Sequence, residues 1–257
     1  LFFKLYKLNT NNGEMERYAT PPVRQPQYVF DVKGNLMAVA GIDPKTYDVE
    51  IYIYNKNLPV EYFSRSACSG QSVDCVEAVV KKTSKIKNED WTFWKSVAWD
   101  EELRVISYDE ESNSLITVEN GEQDLSAIFK TNLKTGDRRL VYKHDTVDIG
   151  EVLVDEEGAV FGTTLMDGYL SWVFFKGENK EKDRIKEISA KFPGSNISIL
   201  SISDKEDKFT FTVSSDINPG IHFLFDLNSA ELTPLGKFWG SIDESKLSYM
   251  DPISFNA

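Results

Sequence analysis

Apolar and polar residues alternate along most of this chain in short runs broken by polar turns, the period-two pattern of β-strands. One local pattern recurs four times. An apolar strand runs into an Asp, two or three polar residues follow, and a second apolar strand leaves. The copies are YVFDVKGNLMAVAG (28–41), SVAWDEELRVISYD (96–109), VLVDEEGAVFGTT (152–164) and LSISDKEDKFTFTVSSD (200–216), anchored by Asp31, Asp100, Asp155 and Asp204. Each reads as a hairpin, because Asp and Gly stabilise the turn while the flanks alternate. A second hairpin follows each first one: VEIYIYNKNLPVEYFS (49–64), LSAIFKTNLKTGDRRLVY (125–142), LSWVFFKGENKEKDRIKEIS (170–189) and IHFLFDLNSAELTPLG (221–236). In each, an aromatic-rich strand leads through a polar turn into a more polar strand.

One unit is therefore four strands, repeated with a period of about fifty residues. The first strands are the most apolar and the last the most polar, a gradient that suits sheets arranged radially with inner strands buried on both faces. A β-sandwich does not repeat a four-strand unit this regularly. The expected fold is all-β, a partial β-propeller of about four four-stranded blades plus a half blade. The half blade spans 1–20, the blades about 28–64, 94–144, 149–192 and 197–240, and 241–257 forms a connector. An insertion at 65–92 contains VEAVVKKTSKIK (76–87), read as one short helix. The half blade, FFKLYKLNTNNGEMERYAT (2–20), matches only the second hairpin of a unit, with Asn11, Asn12 and Gly13 in the turn. The pattern thus predicts a chain that begins inside a larger propeller and stops as a further strand starts, at Pro252 to Ala257.

Composition sharpens this picture in three places. Aromatic residues are 12% of the chain, with 16 Phe, 11 Tyr and 5 Trp, which favours strands. The net charge of −12 repels phosphate backbones, so nucleic acid is not an expected partner. No apolar run approaches the roughly 18 residues needed to span a bilayer, so no membrane partner is expected either. Cys68 and Cys75 are close enough for a local disulfide, which would favour a periplasmic or secreted location. Two free thiols would suit a reducing compartment equally well. Without a nearby His they do not complete a four-ligand zinc site.

Candidate chemistry is sparse. No G-x-S-x-G occurs; the nearest stretch, PGSNIS (193–198), has Gly194 beside Ser195 and reads as a loop between blades. The only histidines are His144 and His222, and neither has the Ser and carboxylate context of a triad. The adjacent acidic pairs Glu101–Glu102, Glu110–Glu111 and Glu156–Glu157 read as solvated turn residues. The calcium-loop pattern D-x-[DN]-x-[DN]-G is absent. Trp91, Phe93, Trp94, Trp99, Trp172 and Phe174 read mainly as packing between blades, with WTFW (91–94) expected to anchor the insertion. No catalytic, cofactor-binding or metal-binding residue is expected.

The repeated "strand, Asp-x-x-Gly, strand" followed by FKLYKLN or IFKTNLKTG resembles the propellers of the prolyl oligopeptidase family and TolB-like blades. The tail ESKLSYMDPISFNA (244–257) resembles the connector leaving the propeller in acylaminoacyl-peptidase and dipeptidyl-peptidase-like members, where Pro252, Ile253, Ser254, Phe255 and Ala257 fit the pattern. That resemblance implies an α/β-hydrolase domain of the same polypeptide as partner, and a role in gating short peptide or acylaminoacyl-peptide substrates. The dipeptidyl members' paired glutamates do not map onto a single pair here. The family has seven or eight blades, more than this chain supplies. A freestanding TolB-like binding module is the alternative, and a propeller glycosidase or lactonase using the acidic turns a third. An open half blade also predicts edge-strand dimers of the fragment.

Overall fold

The computed structural model describes residues 3–54, 90–120, 124–203, 205 and 207–253. It divides into two compact units, Leu1–Leu165 and Met166–Ala257.

Unit 1 opens with a two-stranded hairpin, β1 (Leu5–Leu8) and β2 (Met15–Ala19). Gly13 sits at φ 76° in its turn and donates to the Asn9 carbonyl, as the Asn-Asn-Gly sequence dictates. Next comes an antiparallel meander of β3 (Arg24–Phe30), β4 (Leu36–Ile42), β5 (Val49–Tyr54) and β6 (Trp91–Val97), in that spatial order. A second meander follows with β7 (Leu103–Asp109), β8 (Ser114–Glu119), β9 (Ala127–Asn132) and β10 (Arg138–Lys143). β11 (Val152–Val154) then pairs with β12 (Val160–Asp167), and the division into units falls inside β12.

These sheets pack face to face. Leu5, Tyr18 and Ala19 of the hairpin meet Val39, Tyr52, Tyr54, Trp91 and Phe93 of the first meander. The opposite face of that meander, with Ala38, Ile51, Ile53 and Trp94, packs on Leu103, Val105 and Leu115 of the second. Up-and-down four-stranded meanders stacked in chain order are propeller blades. The fold class read from the sequence, all-β and of the β-propeller kind, is the one observed.

Several finer expectations need correction. Burial peaks in the second strand, not the first: every residue of β8, and all of β4 except Ile42, is buried, while β3 exposes Arg24, Gln25 and Gln27. A first strand has a neighbour on one side only, whereas the second is flanked by strands and covered on both faces. The fourth strand of the first meander is Trp91–Val97, paired with Val49–Tyr54. WTFW therefore forms the start of the outer strand of this meander, and the insertion it was expected to anchor lies outside the described residues. Trp91 and Phe93 face one core and Trp94 the other. The expected strand near 59–64, the helix at 76–87 and both cysteines lie outside the described residues. In SVAWDEELRVISYD the chain passes from one sheet to the next, and the hairpin of the second meander turns at Asp109 instead of Asp100.

Unit 2 contains β13 (Tyr169–Phe174), helix α1 (Lys180–Lys191) and a meander of β14 (Asn196–Ile202), β15 (Lys208–Ser215), β16 (Asn218–Asp226) and β17 (Glu231–Lys237). The helix occupies residues expected to form a polar strand. Its local signals are helical: the Asn179 side chain accepts from the Lys182 N–H at 2.9 Å, and Glu181 and Asp183 lie in the first turn. Ile185 and Ile188, spaced i to i+3, are both buried. Ile188 packs on Ile197, Phe209, Phe211, Val213 and Phe225 of the sheet.

Candidate functional site

The most organised polar region of unit 1 is built where turns of successive sheets align. The Asp31 Oδ1 accepts N–H groups of Lys33 and Asn35 at 2.9 and 2.7 Å, and Gly34 takes φ 76°. The Asp155 Oδ1 accepts from Ala159 N–H at 2.8 Å, with Gly158 at φ 80°. Asp109 accepts from Ser112 N–H at 3.1 Å, and there Asn113 takes the positive φ, at 49°. Asn tolerates that conformation better than most residues.

The three turns are tied to one another. Lys33 Nζ meets Glu110 Oε1 at 2.8 Å, and the Glu110 N–H donates to the Glu157 carbonyl at 3.4 Å. The Ser107 hydroxyl donates to the Gly158 carbonyl at 2.8 Å, and Gln27 Nε2 donates to the Val105 carbonyl at 3.1 Å. Glu110 and Glu157, from two different sequence pairs, are thus neighbours on one rim. Glu102 instead pairs with Arg104 at 2.5 Å, away from these turns.

The chemistry available to the turn aspartates is limited by their bonds. Burial pushes the Asp31 carboxyl up, but hydrogen bonds from Asn35 and Lys33 and the Lys33 charge outweigh it and hold the group below its ordinary range. Asp109 is lowered in the same way: burial opposes, and Lys130 with the Ser112 N–H prevails. Such carboxylates stay ionised and are committed to backbone donors. They are turn caps, poorly suited to carry a proton.

A second polar feature was not foreseen in the sequence. Glu119 at the end of β8 is 2% exposed. One oxygen accepts from Thr117 Oγ1 at 2.6 Å, and the other accepts from Lys95 Nζ and, at 2.7 Å, from Arg138 Nη2. Lys95 belongs to β6, so the triad joins two sheets. Arg138 also lies over the Phe129 ring, 3.5 Å from its centroid. Burial raises the Glu119 carboxyl, yet Lys95, Thr117 and Arg138 together bring it below its usual range. With both oxygens occupied, the group is a brace between sheets. The one sequence signal was a lone Glu closing the apolar run LITV, opposite a Lys closing WTFW.

The catalytic residue types considered from sequence are scattered. His144 lies beside Thr146, whose hydroxyl is 3.2 Å from Nδ1. His222 on β16 meets the Thr212 hydroxyl at 2.8 Å through Nδ1 and packs edge-on against Phe238. Ser195 follows α1 and precedes β14, with Gly194 at φ 74°. A nucleophile elbow runs from strand to helix, the reverse order. Trp172 and Phe174 stack at 6.2 Å, while Trp99 stands 73% exposed in the turn between β6 and β7. Among the described residues no group of three or more His, Cys, Asp or Glu is placed to hold a metal ion.

No protein-family model and no curated protein matches the chain. Among solved structures it is similar to TolB from Acinetobacter baumannii, at 11% identity and TM-score 0.47, over 91% of this chain and 49% of that one. It is also similar to apo prolyl oligopeptidase B from Galerina marginata, at 9% identity and TM-score 0.48, over 95% and 33% of the two chains. A structure of a prolyl endopeptidase matches at 10% identity and TM-score 0.47, over 91% and 30%. The chain spans half or less of each of these proteins. What its own topology defines is a β-propeller portion.

Proposed function

We propose that this chain is the substrate-gating propeller region of a serine peptidase of the prolyl oligopeptidase family. The observation that supports this reading best is the Asp-capped turn repeated between the first two strands of three successive sheets, Asp31 with Gly34, Asp109 with Asn113 and Asp155 with Gly158. It is the element on which the resemblance to that family's blades rests. Turns locked by their own aspartates and tied across sheets make a stiff collar. A stiff collar limits access by size, admitting short or acylated peptides and excluding folded protein. On this reading the nucleophile, base and oxyanion donors belong to an α/β-hydrolase domain elsewhere in the polypeptide. None of Ser195, His144 or His222 takes part.

Sequencing the transcript across codon 257 tests the proposal. An open frame encoding an Arg-Asp-Gly turn and, within a few hundred residues, G-x-S-x-G is the expected result. A stop codon directly after Ala257 would overturn it and leave a freestanding binding module.

A further inference from the structure

We propose that residues 238–253 of unit 2 form a docking strap for a basic, apolar segment of a protein partner. The strap overlaps residues 241–257, the connector of the peptidase reading, and a hydrolase domain of the same polypeptide seated on it would overturn this proposal. The strap is held down at several points. The Phe238 N–H donates to the Gly220 carbonyl at 2.8 Å, and the Met250 N–H donates to Asp216 Oδ2 at 2.9 Å. Lys237 pairs with Glu244 at 2.8 Å, and the Tyr169 hydroxyl lies 3.4 Å from Asp251 Oδ1. Pro252 packs on Gly168 so closely that a Cβ there would lie 3.2 Å from Pro252 Cγ.

Despite this anchoring, the strap's large apolar side chains face solvent. Trp239 is 54% exposed, Phe238 57%, Met250 68%, Tyr249 76% and Ile253 84%. Phe238 and Trp239 meet edge to face, with ring centroids 5.2 Å apart. Single exposed apolar residues are ordinary, but this many on one short, ordered segment mark an interaction surface.

Charge selects the occupant. The strap and its anchors carry Asp216, Asp243, Glu244 and Asp251. The lysines beside them, Lys237 and Lys246, are paired with Glu244 and Asp243. Asp216 and Asp251 form no ion pair among the described residues. Exposed aromatic rings among unneutralised carboxylates suit Lys or Arg interleaved with apolar residues, with cation–π contacts to Trp239 and Tyr249. The same charge repels an anionic membrane, and it repels a second copy of this acidic chain.

The test is calorimetric titration of the 257-residue chain with two synthetic peptides, one alternating Lys or Arg with Leu or Phe, the other carrying Glu at the basic positions. The expected result is 1:1 binding of the basic peptide only, weakening on added salt. The double variant Trp239→Ala/Tyr249→Ala should lose roughly tenfold or more in affinity while keeping the parent melting temperature, since both side chains are exposed. Equal binding of both peptides, no binding, or full affinity in the double variant would overturn the proposal. So would concentration-dependent dimerisation abolished by the same substitutions, which would give the strap to a second copy. Preferential binding to anionic vesicles would give it to a membrane.

Discussion

Gly158 lies directly against the Tyr108 carbonyl: a Cβ at Gly158 would sit 2.2 Å from that oxygen. The contact is backbone on backbone, so no flexible side chain can swing aside. It holds the Asp155 turn onto the neighbouring sheet, where the Ser107 hydroxyl also bonds the Gly158 carbonyl.

Gly158→Ala should therefore cost roughly 2–5 kcal/mol, combining a left-handed φ with overpacking. Gly34→Ala is the control. It has the same φ class, but a Cβ there meets nothing within 4 Å. It should cost about 1–2 kcal/mol, the conformational part alone. Urea unfolding of the two variants checks the difference, and equal losses would show that the close approach contributes nothing.

Glu119→Gln leaves Lys95 and Arg138 facing each other without their shared anion. Breaking a buried pair typically costs about 3–5 kcal/mol. Part of the Arg138 side chain is exposed, so the low end is expected. The pH dependence has a definite sign. The folded-state carboxyl is lowered, so the unfolded chain binds the proton more readily. The contribution is complete above the unfolded value of about 4.3 and disappears as pH falls through the lower folded value. Stability of the parent and of E119Q, measured from neutral pH down to about pH 3, should converge at the acid end.

Asn179→Ala removes the acceptor at the start of α1. The expected loss is about 1 kcal/mol, with Asn179→Asp close to neutral because Asp caps equally well and favours the helix N-terminus. Thermal melts followed by far-ultraviolet circular dichroism distinguish the two.

Which of these features the sequence discloses follows from how local their causes are. The Asp31 and Asp155 turns are visible because the aspartate, its backbone donors and the positive-φ glycine lie within five residues of one another. Local pattern does not separate a turn at Asp100 from one at Asp109, because WDEEL and YDEESN carry the same signal. Only the pairing of β7 with β8 decides between them. The fourth strand of the first meander is not legible locally, because its partner β5 ends at Tyr54 and the strand itself starts at Trp91. No local pattern bridges that gap. Helix α1 is hard to see in the sequence because its long charged run hides two isoleucines at helical spacing, Ile185 and Ile188. The Glu119 brace depends on which sheets stack, and that is a property of tertiary structure.

The most direct test of the central claim is to label the 257-residue chain and the longer full-length polypeptide that the proposal calls for side by side with a fluorophosphonate probe, and to assay both on short acylated peptides. The account predicts covalent labelling and hydrolysis by the full-length protein, and neither by the 257-residue chain. Labelling of the shorter chain, or an inert full-length protein, would contradict it.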